Sequence, residues 1–257
     1  PCSVLRVFTR DGEGGNHLGV VTDLDGLDPS TMQQIATDLG FSETVFIDAT
    51  DPPTVRIFTP AMEMPFAGHP LVGAAYHLLA EGSNADRIGC GIGEMSIRQE
   101  HDTVWVDAPM HHERAYRDGP IFARRVGLKN PKSSWRVDMP LDYRLVELAT
   151  AAEVATAAPD ISAFGAAHGL TVFARDGVQV RMRFFIPDAG ISEDPATGSA
   201  AVALATRFAA AGELSGTATI DQGEEIGHPS RILLHWEGRT ASIGGTVAVD
   251  EPMELAL

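Results

Sequence analysis

Three side chains that can exchange protons stand in short, distinctive segments of the chain. Glu43 lies in GFSETVFI, His69 in AGHPLVGAA and Asp194 in EDPATGSAA. Glu43 stands among apolar neighbours at the start of a predicted strand, where burial would raise the pKa of its carboxyl toward neutrality. A histidine near a helix N-terminus is expected to stay neutral and to relay a proton or a hydrogen bond. These residue types predict general acid/base catalysis.

The segments around two prolines could hold a substrate anion. Proline at the first position of a helix costs no hydrogen bond, so Pro70 and Pro195 mark predicted helix starts and make Asp194 a helix cap as well as a catalytic candidate. Free N–H groups and the positive end of the helix dipole favour a carboxylate there. The alternative is that the glycines serve only close packing. The candidate binding residues are Gly68, Gly73, Gly198 and Ser199.

The elements that must position these groups occur twice along the chain. The first two matches share an offset of 127 residues, and the third needs a gap of two. Because three matches follow in the same order, the two halves of the chain are predicted to share one fold. The matching segments are TVF (44–46 and 171–173), RIFTP and RFFIP (56–60 and 183–187), and GHPLVGAA and EDPATGSA (68–75 and 193–200).

The repeat differs in its polar residues, which is where a site for an asymmetric substrate would differ. This alignment matches Glu43 with Leu170. It also matches His69 with Asp194 and Ala74 with Ser199. The scaffold repeats, whereas the groups that could do chemistry do not.

Each half reads as several short strands around one long helix that is apolar on nearly all faces, and such a helix is normally buried. The helices are predicted to end near Gly82 and Gly212, since glycine is the common helix stop. We expect two domains, 1–118 and 119–247, with a polar linker near Tyr116–Pro131. A cleft between two such halves is a common ligand site.

Composition narrows the classes of partner. The 257 residues carry 35 acidic against 19 basic side chains, a formal charge of −16, with no lysine or arginine run, which argues against nucleic acid and anionic membranes. Cys2 and Cys90 are the only cysteines, too few for a disulfide framework or a structural zinc site. No phosphate-binding glycine motif occurs. No segment reaches the roughly 18–20 apolar residues of a membrane span, so we expect a cytoplasmic protein.

The segments RIFTPAMEMPFAGHPLVGAA, GFSETVFI and EDPATGSAA resemble the signature segments of the phenazine-biosynthesis PhzF-like isomerase family. Weaker matches are Gly15-Asn16, Gln222-Gly223 and His228-Pro229-Ser230. The resemblance implies the diaminopimelate-epimerase-like α+β fold, in which two pseudo-symmetric domains each wrap a strongly curved, mostly antiparallel sheet around a central apolar helix. It also implies that the tail, 248–257, packs back on the first half.

The resemblance implies roles for particular residues. Glu43 would shuttle a proton between substrate carbons, His69 and Asp194 would assist, and Ser199 and Asn16 would bind a small carboxylate substrate. It implies no metal, no organic cofactor and a homodimer. Three positions depart from the family pattern and bear on substrate identity: Arg6, His17 and His228.

Two other functions compete with a proton-moving isomerase. Epimerases and racemases of this fold use two thiols, but neither cysteine lies in the repeated motifs, so an epimerase here would pair Glu43 with another group. A protein that only binds small anions would have no need of the Glu43 carboxylate. The substrate itself is not predicted.

Overall fold

The computed structural model describes residues 2–110, 114–139, 142–186 and 192–255. Pro187 of the sequence repeat and the last two residues of the tail lie outside these ranges. The helices are α1 (Pro29–Leu39), α2 (Gly68–Ala80), α3 (Ile121–Arg125), α4 (Ala151–Ala155) and α5 (Gly198–Ala210).

The strands divide into two sets along the chain. The first set is β1 (Cys2–Thr9), β2 (Asn16–Val21), β3 (Glu43–Asp48), β4 (Thr54–Phe58), β5 (Glu63–Met64), β6 (Arg87–Cys90), β7 (Gly93–Glu100) and β8 (Thr103–Pro109). The second set is β9 (Arg114–Asp118), β10 (Ser133–Asp138), β11 (Asp142–Glu147), β12 (Gly169–Asp176), β13 (Gln179–Phe185), β14 (Glu193–Asp194), β15 (Ser215–Gln222), β16 (Ser230–Glu237) and β17 (Thr240–Met253).

The strands of the first half form a closed ring around α2. Pairing runs from β1 through β2, β3, β4, β6, β7 and β8 to β17, which pairs with β1 again. The β2–β3 and β4–β6 pairs are parallel and the others are antiparallel. The predicted curved sheet around a central helix is therefore present.

The second half repeats this order around α5. Its strands pair in the order β9, β10, β11, β12, β13, β15, β16 and β17, and again two pairs, β11–β12 and β13–β15, are parallel. The halves share a seam, because the first part of β17 pairs with β8 and its second part with β1. Leu255 in the tail packs on the first half. Where one domain ends and the other begins stays a prediction.

The central helices are buried, as their apolar sequences predict. Leu71, Val72 and Ala75 of α2 and Val202 and Leu204 of α5 have no exposed side-chain surface and share one core. Both helices stop where the sequence predicts, at Glu81-Gly82 and Ala211-Gly212, and both glycines take left-handed φ values, 85° and 101°.

The predicted helix starts are wrong. α2 begins at Gly68 and α5 at Gly198, so Pro70 lies inside the first turn of α2 and Pro195 precedes α5 by three residues. The caps are Ala67 and Thr197, and Asp194 belongs to the short strand β14 instead. Tolerance of proline throughout the first turn, where N–H groups have no helical partner, explains why Pro70 does not mark the start.

The structure also corrects the internal alignment. EMPFAGHP (63–70) is equivalent to EDPATGSA (193–200), because β5 matches β14 and the two helix starts coincide. This offset of 130 makes Met64 equivalent to Asp194 and His69 equivalent to Ser199, in place of the pairs His69–Asp194 and Ala74–Ser199.

A one-residue shift applies to β3 and β12. Ile47 and Phe173 face the shared core, whereas Phe46 and Val172 face the outer helices, so these are the equivalent pairs. Counting back along the strands, Glu43 is equivalent to Gly169 and not to Leu170. Successive side chains of a strand point to opposite faces of the sheet, so an alignment error of one residue matches core-facing residues with outward-facing ones.

Half of the predicted linker, Tyr116–Pro131, is regular structure. It contains the end of β9 and all of α3. Its apolar residues account for this, because Phe122 and Ala123 are buried in a separate core under α4.

Candidate active site

A partly enclosed cleft lies between the two halves, and two of the three predicted catalytic groups, Glu43 and Asp194, line it. The third, His69, lies behind Glu43. The cleft has about 500 Å³ of empty space, solvent at its mouth included. Its polar lining comes from both halves: Ser42, Glu43 and Thr59 from the first, and Tyr143, His168, Asp194, Thr197 and Ser199 from the second. Apolar side chains, among them Met62, Met64, Phe66, Phe184 and Ile186, complete the wall.

Glu43 stands at the first position of β3 because Gly40 ends α1 with a left-handed φ of 66° and the chain then turns back to pair beside β2. Its Oε2 is buried and has no hydrogen-bond partner in the described part of the chain. Burial raises the pKa of the Glu43 carboxyl well above its ordinary value, and the nearby charge of Asp194 raises it further. The carboxyl is therefore poised to hold or release a proton.

Asp194 is held by a dense network. Its Oδ1 accepts from Asn16 Nδ2 at 2.9 Å, its Oδ2 accepts from the Thr197 hydroxyl, and its backbone carbonyl accepts from Gln222 Nε2 at 2.7 Å. Burial raises the pKa of Asp194 to about 6, although the hydrogen bonds from Thr197, Asn16 and Ser42 act against this rise. Asp194 and Glu43 interact, so the two carboxyls ionise as a pair and one proton stays on the pair between its two ionisations.

His69 is the second residue of α2 and is buried beside both carboxyls. Its Nδ1 lies 3.5 Å from Glu43 Oε2 and 3.3 Å from Asn16 Nδ2. Burial lowers the pKa of the His69 imidazole to about 3, against the effect of a hydrogen bond to the backbone of His17, so the ring is neutral at physiological pH. Within the described ranges its Nε2 has no hydrogen-bond partner.

The N-termini of the two central helices meet directly. A Cβ built on Gly68 would lie 2.6 Å from Gly198 Cα, and one built on Gly198 would lie 2.8 Å from Gly68 Cα. Glycine is required at both positions for this approach. The predicted pair of helix N-termini at one cleft is thus present, with Ser199 lining the cleft from α5.

Gly73 lies elsewhere. A Cβ there would meet Leu18 and Val7, at 2.3 and 2.9 Å, so Gly73 allows α2 to pack on β1 and β2. The packing alternative raised from the sequence fits this glycine better than a binding role.

The sequence analysis missed several lining residues. Tyr143 and His168 stack with ring centroids 6.3 Å apart, and Tyr143 Oη lies 2.9 Å from Ser199 Oγ. Thr197 binds Asp194 and Gln222. The corrected alignment would have matched Ser199, already a candidate, with His69, but Tyr143 lies outside every repeated segment.

The three departures from the family pattern lie together beside the site. The His17 ring stacks on Phe41 at 5.6 Å and meets His228 edge-on at 5.8 Å. Arg6 forms an ion pair with Asp250 of β17 at 2.9 Å, and His17 Nε2 lies 3.6 Å from the same carboxylate. His17 and His228 line a second, more open groove that shares Ser42 and Asn16 with the network around Asp194.

Other features of the described residues concern metals and membranes. They include no group of three or more His, Cys, Asp or Glu side chains placed to hold a metal ion. Nor is any helix among them long and apolar enough to cross a bilayer.

Comparison with known proteins gives consistent matches over the whole chain. The family described as phenazine biosynthesis-like protein matches residues 5–250. A trans-2,3-dihydro-3-hydroxyanthranilate isomerase of Pseudomonas chlororaphis is 33% identical over 263 residues, covering 92% of this chain and 90% of that protein. Among solved structures, a PhzF family protein of Bacillus anthracis has a TM-score of 0.83 at 22% identity, covering 100% and 98%. A structure titled as a predicted epimerase from Pseudomonas aeruginosa has a TM-score of 0.78 at 25% identity, covering 100% and 99%.

Proposed function

The chain belongs to the phenazine biosynthesis-like family, and we propose that it moves a proton on a small carboxylate substrate with Glu43 as the acid/base. The family resemblance, the α+β fold and the prediction of an isomerase are confirmed by these relatives and structures. The relatives named for one substrate suggest the first compound to test, trans-2,3-dihydro-3-hydroxyanthranilate.

One observation supports this assignment above the others. The Glu43 carboxyl is buried at the cleft, has an oxygen without a hydrogen-bond partner in the described structure, and interacts with a second buried carboxyl, Asp194. A buried, unpaired carboxyl is costly to the fold, and such groups cluster at sites where their raised pKa serves proton transfer.

The arrangement suggests how the proton would move. Glu43 in its ionised form takes a proton from a substrate carbon, and the electron pair of that C–H bond shifts into the conjugated system of the substrate. Glu43 then returns the proton to a different carbon, so that a double bond moves and no atom is gained or lost. Neutral His69 Nδ1 lies 3.5 Å from Glu43 Oε2 and orients the carboxyl. Asp194, whose pKa is raised by burial, keeps a separate proton while Glu43 is ionised, and this proton is not transferred to the substrate.

The substrate carboxylate would bind at the meeting point of α2 and α5. Gly68, Gly198 and Ser199 lie in the first turns, whose N–H groups have no partner within their helices. No lysine or arginine of the described chain lines this cleft, so these N–H groups, nearby hydroxyls and the ring of His168 are its anion donors.

An epimerase is the second candidate, supported by the structural likeness to a protein titled as an epimerase. It would return the proton to the same carbon from the opposite face. Neither cysteine lines the cleft, so the second group would not be a thiol. Deuterium incorporation from solvent with inversion at one carbon, and no shift of a double bond, would favour this candidate.

The test is proton exchange in deuterated water with Glu43→Gln. The wild-type protein is screened by proton NMR against trans-2,3-dihydro-3-hydroxyanthranilate and a panel of small cyclic amino and hydroxy acids. General acid/base groups typically contribute about 10²–10⁴-fold, so exchange should fall by that factor in E43Q. Glu237→Gln, at the exposed end of β16, is the matched control. Undiminished turnover in E43Q would show that another group moves the proton, and binding without turnover by the wild type would favour an anion-binding protein.

A further inference from the structure

Each half places one pair of polar groups at the cleft, one group on the central helix and one on a strand. In the first half, Glu43 on β3 lies beside His69, the second residue of α2. In the second half, Ser199 is the second residue of α5 and lies beside Tyr143 on β11. The two polar groups lie on neighbouring and not on equivalent strands. Leu18 of β2 pairs with Glu43 of β3, and Tyr143 of β11 pairs with Gly169 of β12.

Tyr143 and Leu18 are therefore equivalent positions, as are Glu43 and Gly169. In each half, one residue of this pair has a long polar side chain, Glu43 or Tyr143, and its partner on the neighbouring strand, Leu18 or Gly169, has none. Gly169 leaves no room for a side chain, since a Cβ there would lie 2.4 Å from the Phe184 ring. The polar group thus moves from β3 in the first half to β11 in the second, and the cleft receives one from each half.

The Tyr143 phenol is fixed in place. Its ring stacks on His168 with 6° between the planes and packs against Phe184 at 5.2 Å. Only 5% of the residue is exposed, and Oη lies 2.9 Å from Ser199 Oγ at the start of α5. A donor held this firmly needs no reorganisation when charge develops on a bound substrate.

Removal of a proton from a carbon in this cleft places negative charge on the substrate. The pair Glu43 and Asp194 is acidic and offers no positive charge, and the described lining contains no lysine or arginine to offset the charge of the substrate. The donors that remain to stabilise that charge are the hydroxyls, the ring of His168 and backbone N–H groups. The phenol is the more acidic of the two hydroxyls in the Tyr143–Ser199 pair and is thus the stronger donor.

We propose that Tyr143 is a catalytic residue, whose O–H, oriented by Ser199, donates a hydrogen bond to the substrate oxygen that gains charge when Glu43 removes the proton. The C–H electron pair moves toward that oxygen, and it flows back when Glu43 returns the proton, so the phenol keeps its hydrogen throughout. This inference rests on the proposed function and assigns a role to the second half of the cleft.

The experiment compares Tyr143→Phe with Tyr116→Phe, which alters an exposed tyrosine on β9. Loss of one preorganised donor costs about 100- to 1000-fold in kcat, so Y143F should lose that much of the Glu43-dependent exchange while KM changes by much less. Y116F should keep the wild-type rate. A residue that only fills space would change stability or KM and leave kcat within a few-fold of the wild type.

A pH profile gives an independent readout that does not depend on how Y143F folds. The protein has only three tyrosines, so all can be replaced by 3-fluorotyrosine, whose phenol is more acidic. The basic limb of kcat should move to lower pH in the fluorinated protein and in its Y116F form. An unmoved limb, or Y143F with wild-type kcat, would overturn the role of Tyr143. Wild-type protein without any Glu43-dependent exchange would instead refute the proposed function.

Discussion

The ionisation of Asp194 should make the protein less stable as the pH rises, and the structure gives the size of the effect. The pKa of Asp194 is raised from 3.8 to about 6 in the folded protein. Two pKa units correspond to about 3 kcal/mol. Because the folded pKa is the higher one, this contribution is fully present below pH 3.8 and is lost as the pH rises through 6.

Asp194→Asn isolates this term. The amide cannot ionise, and the hydrogen bonds that it alters with Asn16 and Thr197 add an offset that does not depend on pH. The free energy of unfolding of each protein is measured by urea titration from pH 4 to 8. Relative to D194N, the wild type should lose about 2.5 kcal/mol over this range, because the Asp194 carboxyl of the unfolded chain is already more than half ionised at pH 4.

Asp102→Asn is the control, because Asp102 lies in the exposed turn between β7 and β8. Its difference from the wild type should stay within about 0.5 kcal/mol at every pH. Glu43→Gln should follow D194N in direction, since the pKa of Glu43 is raised as well. A wild-type and D194N difference that is constant from pH 4 to 8 would refute the buried, titrating pair on which the proposed mechanism depends.

Two further predictions concern how the second half holds the site. Arg183 binds Glu193 with both ends of its guanidinium, at 2.8 and 2.6 Å, and so fixes the residue next to Asp194, whereas Arg56 makes the equivalent pair with Glu63 in the first half. Lysine cannot form the same two hydrogen bonds, so R183K should reduce kcat by about 10- to 100-fold and R56K by far less. Equal losses of kcat in the two variants would contradict a positioning role for Arg183. Gly198→Ala should lower the free energy of unfolding by about 1–3 kcal/mol in a denaturation assay, because the added Cβ would meet the backbone of α2. Gly119→Ala is the control: its Cβ would meet no atom within 4 Å, so the free energy of unfolding should change by less than about 0.5 kcal/mol.

The sequence predicted the repeated architecture because apolar periodicity and turn residues are local signals. Both central helices, their glycine stops and the hairpins around His101-Asp102 and Gly238 are where these signals place them. The closure of the first half could not be predicted in this way. It depends on β17, which also belongs to the second half and pairs with β1 and β8, more than a hundred residues away in the chain.

The site was predicted in part. Glu43, Asp194 and Ser199 line one cleft, and His69 and Asn16 lie directly behind them. Tyr143 was missed because a lone tyrosine in a strand gives no signal of chemistry until its neighbour across the sheet is known. The alignment of the halves was wrong because it matched Pro70 with Pro195, each of which follows a polar residue. Pro70 lies in the first turn of α2, whereas Pro195 precedes α5 by three residues.

The corrected alignment changes what the asymmetry of the site means. If Glu43 were equivalent to Leu170, the second half would have a buried apolar side chain in place of the catalytic carboxyl. If Glu43 is equivalent to Gly169, the second half has no side chain at this position of β12, and the ring of Phe184 occupies the space. The neighbouring strand then supplies Tyr143 where the first half has Leu18. A pseudo-symmetric scaffold can thereby offer a carboxyl from one half and a hydroxyl from the other, which suits a substrate whose reacting carbon and charged oxygen lie at different ends.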